Sequence, residues 1–119
     1  MSSIMFVDDD RDSLTIYQRA VSLEGHQAHL IPSGEEALDR VGDIQPDVIV
    51  LDFNLPDMSG MYVLEQIRQD PMTRDIPIII LTAHDETEIA DQLSTAGADA
   101  FFSKPLSLSE FLAALEQFL

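Results

Sequence analysis

The residues best suited to chemistry in this sequence are Asp8, Asp9, Asp10, Asp52, Thr82 and Lys104. Three consecutive carboxylates stand near the N-terminus, and Asp52 closes the apolar run that begins at Val48. Thr82 closes the run that begins at Ile78, and Lys104, the chain's single lysine, follows Phe101 and Phe102. Carboxylates brought close together need compensation, because two like charges about 4 Å apart repel by about 4 kcal/mol at an effective dielectric of roughly 20. Either their pKa values rise or a cation sits among them. A hard divalent ion suits an all-oxygen set, and Mg2+ commonly combines one or two carboxylates with waters and phosphoryl oxygens. Asp10 and Asp12 have a competing use, since acids at a helix start cap free amides and complement the dipole. The metal role therefore falls to Asp8 and Asp9, with Asp52.

Convergence of these groups depends on the elements that carry them. Short β-branched runs alternate with amphipathic stretches along the chain. Strands are predicted at Ile4–Val7, Gln27–Ile31, Asp47–Asp52, Ile78–Thr82 and Ala100–Phe102, and helices at 12–24, 34–41, 59–69, 86–96 and 107–118. The runs VIVL and IIIL are continuous, not alternating, as expected of strands covered on both faces. Ser33, Asp85 and Ser107 each precede a glutamate by three residues, the capping-box spacing, while Gly25, Gly42 and Gly97 stand at expected helix stops. Leu108, Phe111, Leu112 and Leu115 form one apolar face on the last helix. The (βα)5 order predicts an α/β fold, a doubly wound five-stranded parallel sheet joined by right-handed crossovers. The flavodoxin-like order 2-1-3-4-5 fits this length by analogy. All the chemical residues then fall at C-terminal strand ends. Neighbouring strands lie about 4.8 Å apart, so Asp9 and Asp52 reach one small ion, and a long lysine spans the remaining two strands.

Composition narrows the rest. A chain of 119 residues forms a single domain, here residues 1–119, and 45% hydrophobic residues suffice for a core. The absence of cysteine excludes disulfide and thiol chemistry. The N-terminus lacks a signal-peptide pattern and no apolar run approaches a membrane span, so a soluble cytoplasmic domain is expected. With 22 acids against 6 bases the formal charge is -16, and the five arginines are scattered. Direct binding to nucleic acid or to an anionic membrane is not expected of such a surface. His26 and His29 are expected at the surface and not as ligands, since no other His or Cys joins them.

These residues carry a family resemblance over nearly the whole chain. The Asp8-Asp9 pair, the stretch Asp52-Phe53-Asn54-Leu55-Pro56-Asp57-Met58-Ser59-Gly60, Thr82-Ala83 and Lys104-Pro105, in that order, resemble the response-regulator receiver domains of two-component signal transduction. Each motif is weak alone, and the ordered set is specific. The resemblance implies that Asp52 attacks the phosphoryl group of a partner's phosphohistidine and becomes an aspartyl phosphate. It implies Mg2+ (or Mn2+) as cofactor, held by Asp9 and Asp52 directly, by Asp8 through water, and by the backbone carbonyl of Asn54. Lys104 and the metal would neutralise the phosphoryl oxygens, and the Thr82 hydroxyl would bond one of them. Phe101 resembles the switch aromatic that moves with Thr82; lacking a hydroxyl, it can switch only sterically, and Phe102 packs in the core on the opposite face.

Further implications concern loops and partners. Pro56 and Gly60 shape the loop into the third helix, Lys104-Pro105 matches a cis peptide in the family, and Asn54 and His84 stand at the rim where water approaches the phosphoryl group. The implied partners are a sensor histidine kinase or histidine phosphotransfer protein, and an output domain or protein at the helix 4, strand 5 and helix 5 face (about 85–119). A phosphorylation-dependent dimer belongs to the same expectation, as does either a single-domain regulator or a receiver cut from a longer protein. Such a domain is not an enzyme in the ordinary sense, because it catalyses only its own phosphorylation and dephosphorylation. Two rivals stand beside it. Haloacid-dehalogenase-type phosphatases also use an Asp nucleophile with Mg2+, but in a D-x-D motif after the first strand, whereas Asn54 occupies the second position after Asp52 here. A non-phosphorylated interaction module on the same fold would have little use for the acidic pair, Thr82 and Lys104.

Overall fold

The computed structural model describes residues 2–83, 86–104 and 107–119. Its elements alternate as β1 (Ser3–Val7), α1 (Arg11–Leu23), β2 (Gln27–Ile31), α2 (Gly34–Ile44), β3 (Val48–Asp52), α3 (Gly60–Gln69), β4 (Ile78–Thr82), α4 (Glu86–Ala96), β5 (Ala100–Ser103) and α5 (Leu108–Glu116). All strand pairings are parallel, as the (βα)5 pattern predicts, and the sheet order is β2-β1-β3-β4-β5, the order expected by analogy.

The continuous apolar strands are central and the mixed ones are edges. Every residue of β3 and β4 is buried, whereas β2 and β5 are largely half-exposed. Alternating side chains then feed two cores. Met5, Val7, Ile49, Leu51, Ile78 and Ile80 meet Ala37 and Val41 of α2, Val63, Leu64 and Ile67 of α3, and Leu93 of α4. Ile4, Phe6, Val48, Val50, Ile79 and Leu81 face the other way, onto Leu14, Tyr17 and Val21 of α1 and Phe111 and Leu115 of α5. In this second core Phe6 stacks on Tyr17 at 5.3 Å between ring centroids, and both meet Phe111. Two dry faces explain why a period-2 alternation is invisible in VIVL and IIIL: both phases are apolar.

Helix starts follow the capping expectations, with differences in detail. Ser33 Oγ accepts from Glu36 N at 3.2 Å and Ser107 Oγ accepts from Glu110 N at 3.4 Å. The Glu36 side chain, however, pairs with Arg40 one turn on. Gly25 and Gly97 adopt φ of 85° and 105°, the left-handed stops expected of them. Gly42 does not stop its helix. It lies within α2, which continues to Ile44 and ends at Gln45 with φ 47°, just before Pro46. A helix cannot readily place the residue before proline in the right-handed region. The Gln45 side chain supports the turn by donating to Gly42 O and Met72 O, each at 3.1 Å. Asp47 likewise sits outside β3 and ties β1 instead, accepting from Ser3 N at 2.7 Å. The caps expected from Asp85, the position of His84 and the Lys104-Pro105 bond lie outside the described residues.

The edge opposite the strands' C-terminal ends is pinned by Arg68. Its guanidinium donates to Gly97 O, Arg74 O and Ile76 O and to Asp99 Oδ2, which also accepts from Ile78 N. This one side chain joins α3, the start of β4 and the turn into β5.

Candidate functional site

Strand register decides which side chains meet. Val7 pairs with Leu51, so Asp8 and Asp52 follow on adjacent strands. Asp52 pairs with Leu81 and Thr82 with Ser103, which brings Thr82 and Lys104 to the same edge. Lys104 N donates to Thr82 O at 2.7 Å, extending the β4–β5 ladder by one step and aiming the lysine back over the sheet.

The carboxylates are deeply set. Asp8 is 3% exposed, Asp52 is 6% exposed, and Thr82 is fully buried, whereas Asp9 is exposed. Lys104 Nζ bridges the two buried acids, at 3.1 Å from Asp52 Oδ2 and 3.3 Å from Asp8 Oδ2. Their other oxygens accept backbone amides, Asp52 Oδ1 from Asn54 N and Asp8 Oδ1 from Asp10 N, both at 3.0 Å. Burial pushes the Asp8 carboxyl above the usual carboxylate range, against the Asp10 amide and the Lys104 charge, which pull it down. For Lys104, burial lowers the pKa, but the neighbouring Asp52 and Asp8 outweigh it and hold the ammonium above its usual value.

One cation is insufficient for this cluster. Asp8, Asp9 and Asp52 each offer an oxygen within 4.8 Å of the others, and Lys104 is the ammonium among them. Three carboxylates against one ammonium leave two negative charges in excess, which a divalent ion would balance. Octahedral Mg2+ with bonds of about 2.1 Å spans about 4.2 Å between opposite ligands, comparable with this spacing. The donor set therefore fits such an ion. Asp10 is otherwise engaged: its side chain accepts from Asp12 N at 3.1 Å and from Ser13 Oγ at 2.9 Å, capping α1. These bonds, that of Ser13 foremost, hold its carboxyl below the usual range.

The loop from β3 to α3 forms one wall. Asn54 and Asp9 line an open cavity of about 400 Å³ together with Leu55, Pro56, Asp57 and Met58. Gly60 earns its place by close approach: a Cβ there would stand 2.6 Å from Phe53 Cα and 2.7 Å from Asp52 O. Its amide donates to Phe53 O at 2.7 Å, closing the loop beneath Asp52.

Phe101 is half-buried against the α2–α4 core, and Phe102 packs against the opposite one. Phe101 pairs with Ile80 and so shares a sheet face with Thr82, two residues on. His26 departs from the expected surface position. Its side chain is only 14% exposed, with Nε2 3.1 Å from Glu116 Oε1, because the turn after α1 packs under the end of α5.

Two contributors escape the sequence patterns. Ser59 caps α3 by accepting from Tyr62 N at 3.2 Å, but Tyr62 occupies the position where a capping box has glutamate. Asp57 accepts from Gly34 N at 3.1 Å and Glu35 N at 2.9 Å, and these amides hold its carboxyl below the usual range. Its partners lie more than twenty residues upstream, so no local signal marks it.

Fold and site together define a doubly wound α/β protein with an acidic, cation-accepting edge crossed by one lysine. A family model described as the response regulator receiver domain matches residues 4–116, and the chain belongs to that family. It is 37% identical over 116 residues to the response regulator MprA of Mycolicibacterium vanbaalenii, an alignment covering 98% of this chain and 49% of that protein. The chain thus spans about half the length of the curated relatives of this kind that it matches. Among solved structures it is similar to the chemotaxis protein CheY4 of Vibrio cholerae, with a TM-score of 0.93 at 25% identity over 100% of this chain and 99% of that one. It is also similar to the receiver domain of the sensor histidine kinase PA1611 from Pseudomonas aeruginosa, with a magnesium ion coordinated in its active site cleft. That match has a TM-score of 0.88 at 25% identity and covers 98% of this chain and 96% of that one. Receiver domains are in general signalling modules and not enzymes acting on outside substrates, so the phosphatase reading has no support in this membership. Among the described residues, no helix is long and apolar enough to cross a membrane.

Proposed function

We propose that Asp52 is the phosphoryl acceptor of this receiver domain, in a Mg2+-dependent transfer from the phosphohistidine of a sensor kinase or phosphotransfer protein. The observation that carries this reading is Lys104 Nζ bridging Asp52 and Asp8 beside the exposed Asp9. An Asp52 carboxylate oxygen forms the new bond to phosphorus as the donor's phosphorus–nitrogen bond breaks, leaving a free imidazole and an acyl phosphate. Asp9 and Asp52 would hold the metal directly, Asp8 through water, and Asn54 through its backbone carbonyl. Bound there, Mg2+ supplies charge neutralisation to the transferring oxygens, and Mn2+, also an oxygen-seeking ion, could replace it. Lys104 is held charged and supplies the remaining positive charge, while the Thr82 hydroxyl bonds a phosphoryl oxygen in this reading.

The downstream consequences belong to the same reading. Movement of Thr82 toward the phosphoryl group changes the space available to Phe101 on the shared sheet face, and so alters the α4–β5–α5 surface. An output domain or partner reads that surface, and dimerisation through it is a second route. Asn54 and His84 set how quickly water removes the group. A receiver of this kind operates in the cytoplasm as one unit over residues 1–119, alone or within a longer regulator.

The test is direct. Incubation with Mg2+ and acetyl phosphate should add one phosphoryl group, read by intact-mass spectrometry, and Asp52→Asn should abolish the addition. Undiminished labelling of that variant would sink the assignment. An unlabelled wild-type chain at saturating Mg2+ would favour the non-phosphorylated interaction module.

A further inference from the structure

We propose that Asp57 is a positioning residue for the metal site, tying the loop of residues 53–59 to the N-terminus of α2. The inference rests on the Mg2+ reading above, because the loop carries Asn54, whose amide fixes Asp52 and whose carbonyl is a metal ligand in that reading.

The loop is held at three places. At its base, Gly60 N bonds Phe53 O, and Asn54 bridges Ser59 across the loop. At its tip, both Asp57 oxygens are taken up by α2, Oδ1 by Gly34 N and Oδ2 by Glu35 N. Beside them Met58 lies where a side chain on residue 34 would be, since a Cβ there would stand 2.5 Å from Met58 Cγ and 2.8 Å from Sδ. Helix α2 already has a local cap in Ser33, which serves Glu36 N. A second cap arriving from a distant loop satisfies Gly34 and Glu35 as well, but its larger consequence falls on the loop that supplies it. Asp57 stands outside the carboxylate cluster of Asp8, Asp9 and Asp52; it acts by restraining the wall of the cavity that Asp9 and Asn54 line. Without the tether, ordering the Asn54 carbonyl would oppose metal binding, because fixing a residue's backbone costs conformational entropy.

The experiment is Mg2+ titration of the full chain by isothermal calorimetry, with urea denaturation of each protein without metal. Asp57→Ala should raise the Mg2+ Kd about tenfold, the low end of what outer partners of a metal site contribute. The Mg2+ concentration for half-maximal acetyl phosphate labelling should rise equally, with the rate at saturating Mg2+ unchanged within about twofold of wild type. Asp57→Asn removes the charge but keeps an acceptor oxygen, and should fall nearer to wild type. Ser33→Ala weakens α2 without touching the tether, and should leave Mg2+ affinity unaltered. Wild-type affinity in folded Asp57→Ala overturns the inference, as does a loss in Ser33→Ala equal to that in Asp57→Ala. Equal losses in the Ala and Asn variants also overturn it, since the carboxylate would then act through its charge. If wild type binds no Mg2+, the metal reading itself fails and takes the tether with it, an outcome distinct from a change confined to the variants.

Discussion

At the scale of the residue, the cluster around Asp52 sets function against stability. Asp8 is buried with its charge only partly answered by Lys104, which it shares with Asp52. Burial raises its folded pKa above the unfolded value, so the native state binds the proton more tightly than the unfolded chain does. Its contribution to stability is therefore full below the unfolded pKa and is lost as pH rises through the folded one. Asp8→Asn mimics the protonated form. Without divalent ions at pH 7 it should stabilise the protein, because one buried charge is removed while Asp52 remains to pair with Lys104. Urea midpoints measured down to about pH 4 should show the gain shrinking as wild-type Asp8 takes up its proton. A gain independent of pH, or a loss at pH 7, would mean that Lys104 already compensates Asp8 fully. In the Mg2+ reading proposed above, the same variant should bind the ion more weakly.

At the scale of the element, two glycines with different surroundings make a contrast. Gly42 lies within α2, exposed, with nothing within 4 Å of where a Cβ would be. Gly42→Ala should therefore stabilise by about 0.8–1 kcal/mol, the helix-propensity difference between the two residues. Gly60 stands over the Phe53 backbone and the Asp52 carbonyl, atoms that cannot swing aside. Gly60→Ala should destabilise by about 1–3 kcal/mol, the usual range for overpacking, and should disturb the loop under Asp52. Chemical denaturation of both variants checks the pair, and equal effects would show that helix propensity alone governs them. The elements were largely legible in the sequence because β3 and β4 are continuous apolar runs and because Ser33 and Ser107 cap by local pattern. Boundaries failed where distant partners intervened: Gln45 reaches Met72, and Asp47 reaches Ser3.

At the scale of the molecule, net charge and the site respond to different ions. A formal charge of -16 repels itself, and screening by monovalent salt relieves this generally, with a Debye length of about 10 Å at 0.1 M. Mg2+ should act in addition and locally, raising stability by about 2.7 kcal/mol at a hundredfold excess over its Kd. Thermal melts in Mg2+, with the ionic strength matched by KCl, separate the two effects. Asp9→Asn should keep the KCl response and lose most of the Mg2+ increment. An increment that survives in that variant would place Mg2+ on the diffuse acidic surface instead of at the edge cluster.

The strand order followed only by analogy, but the sequence by itself determined the alternation of elements and the placing of Asp8, Asp9, Asp52, Thr82 and Lys104 at strand ends. It could do so because apolar runs mark buried strands, and parallel (βα) units place every strand's C-terminal residue at one edge. Only the tertiary structure decided how those residues share their bonds: that Lys104 spans both buried carboxylates, that Asp57 reaches across to α2, that Arg68 pins the opposite edge, and that His26 lies under α5. Apart from the bonds of Arg68 to Arg74 and Ile76, these are contacts between residues from 22 to 96 positions apart. Their existence depends on where folding delivers two chain segments, which local pattern does not encode.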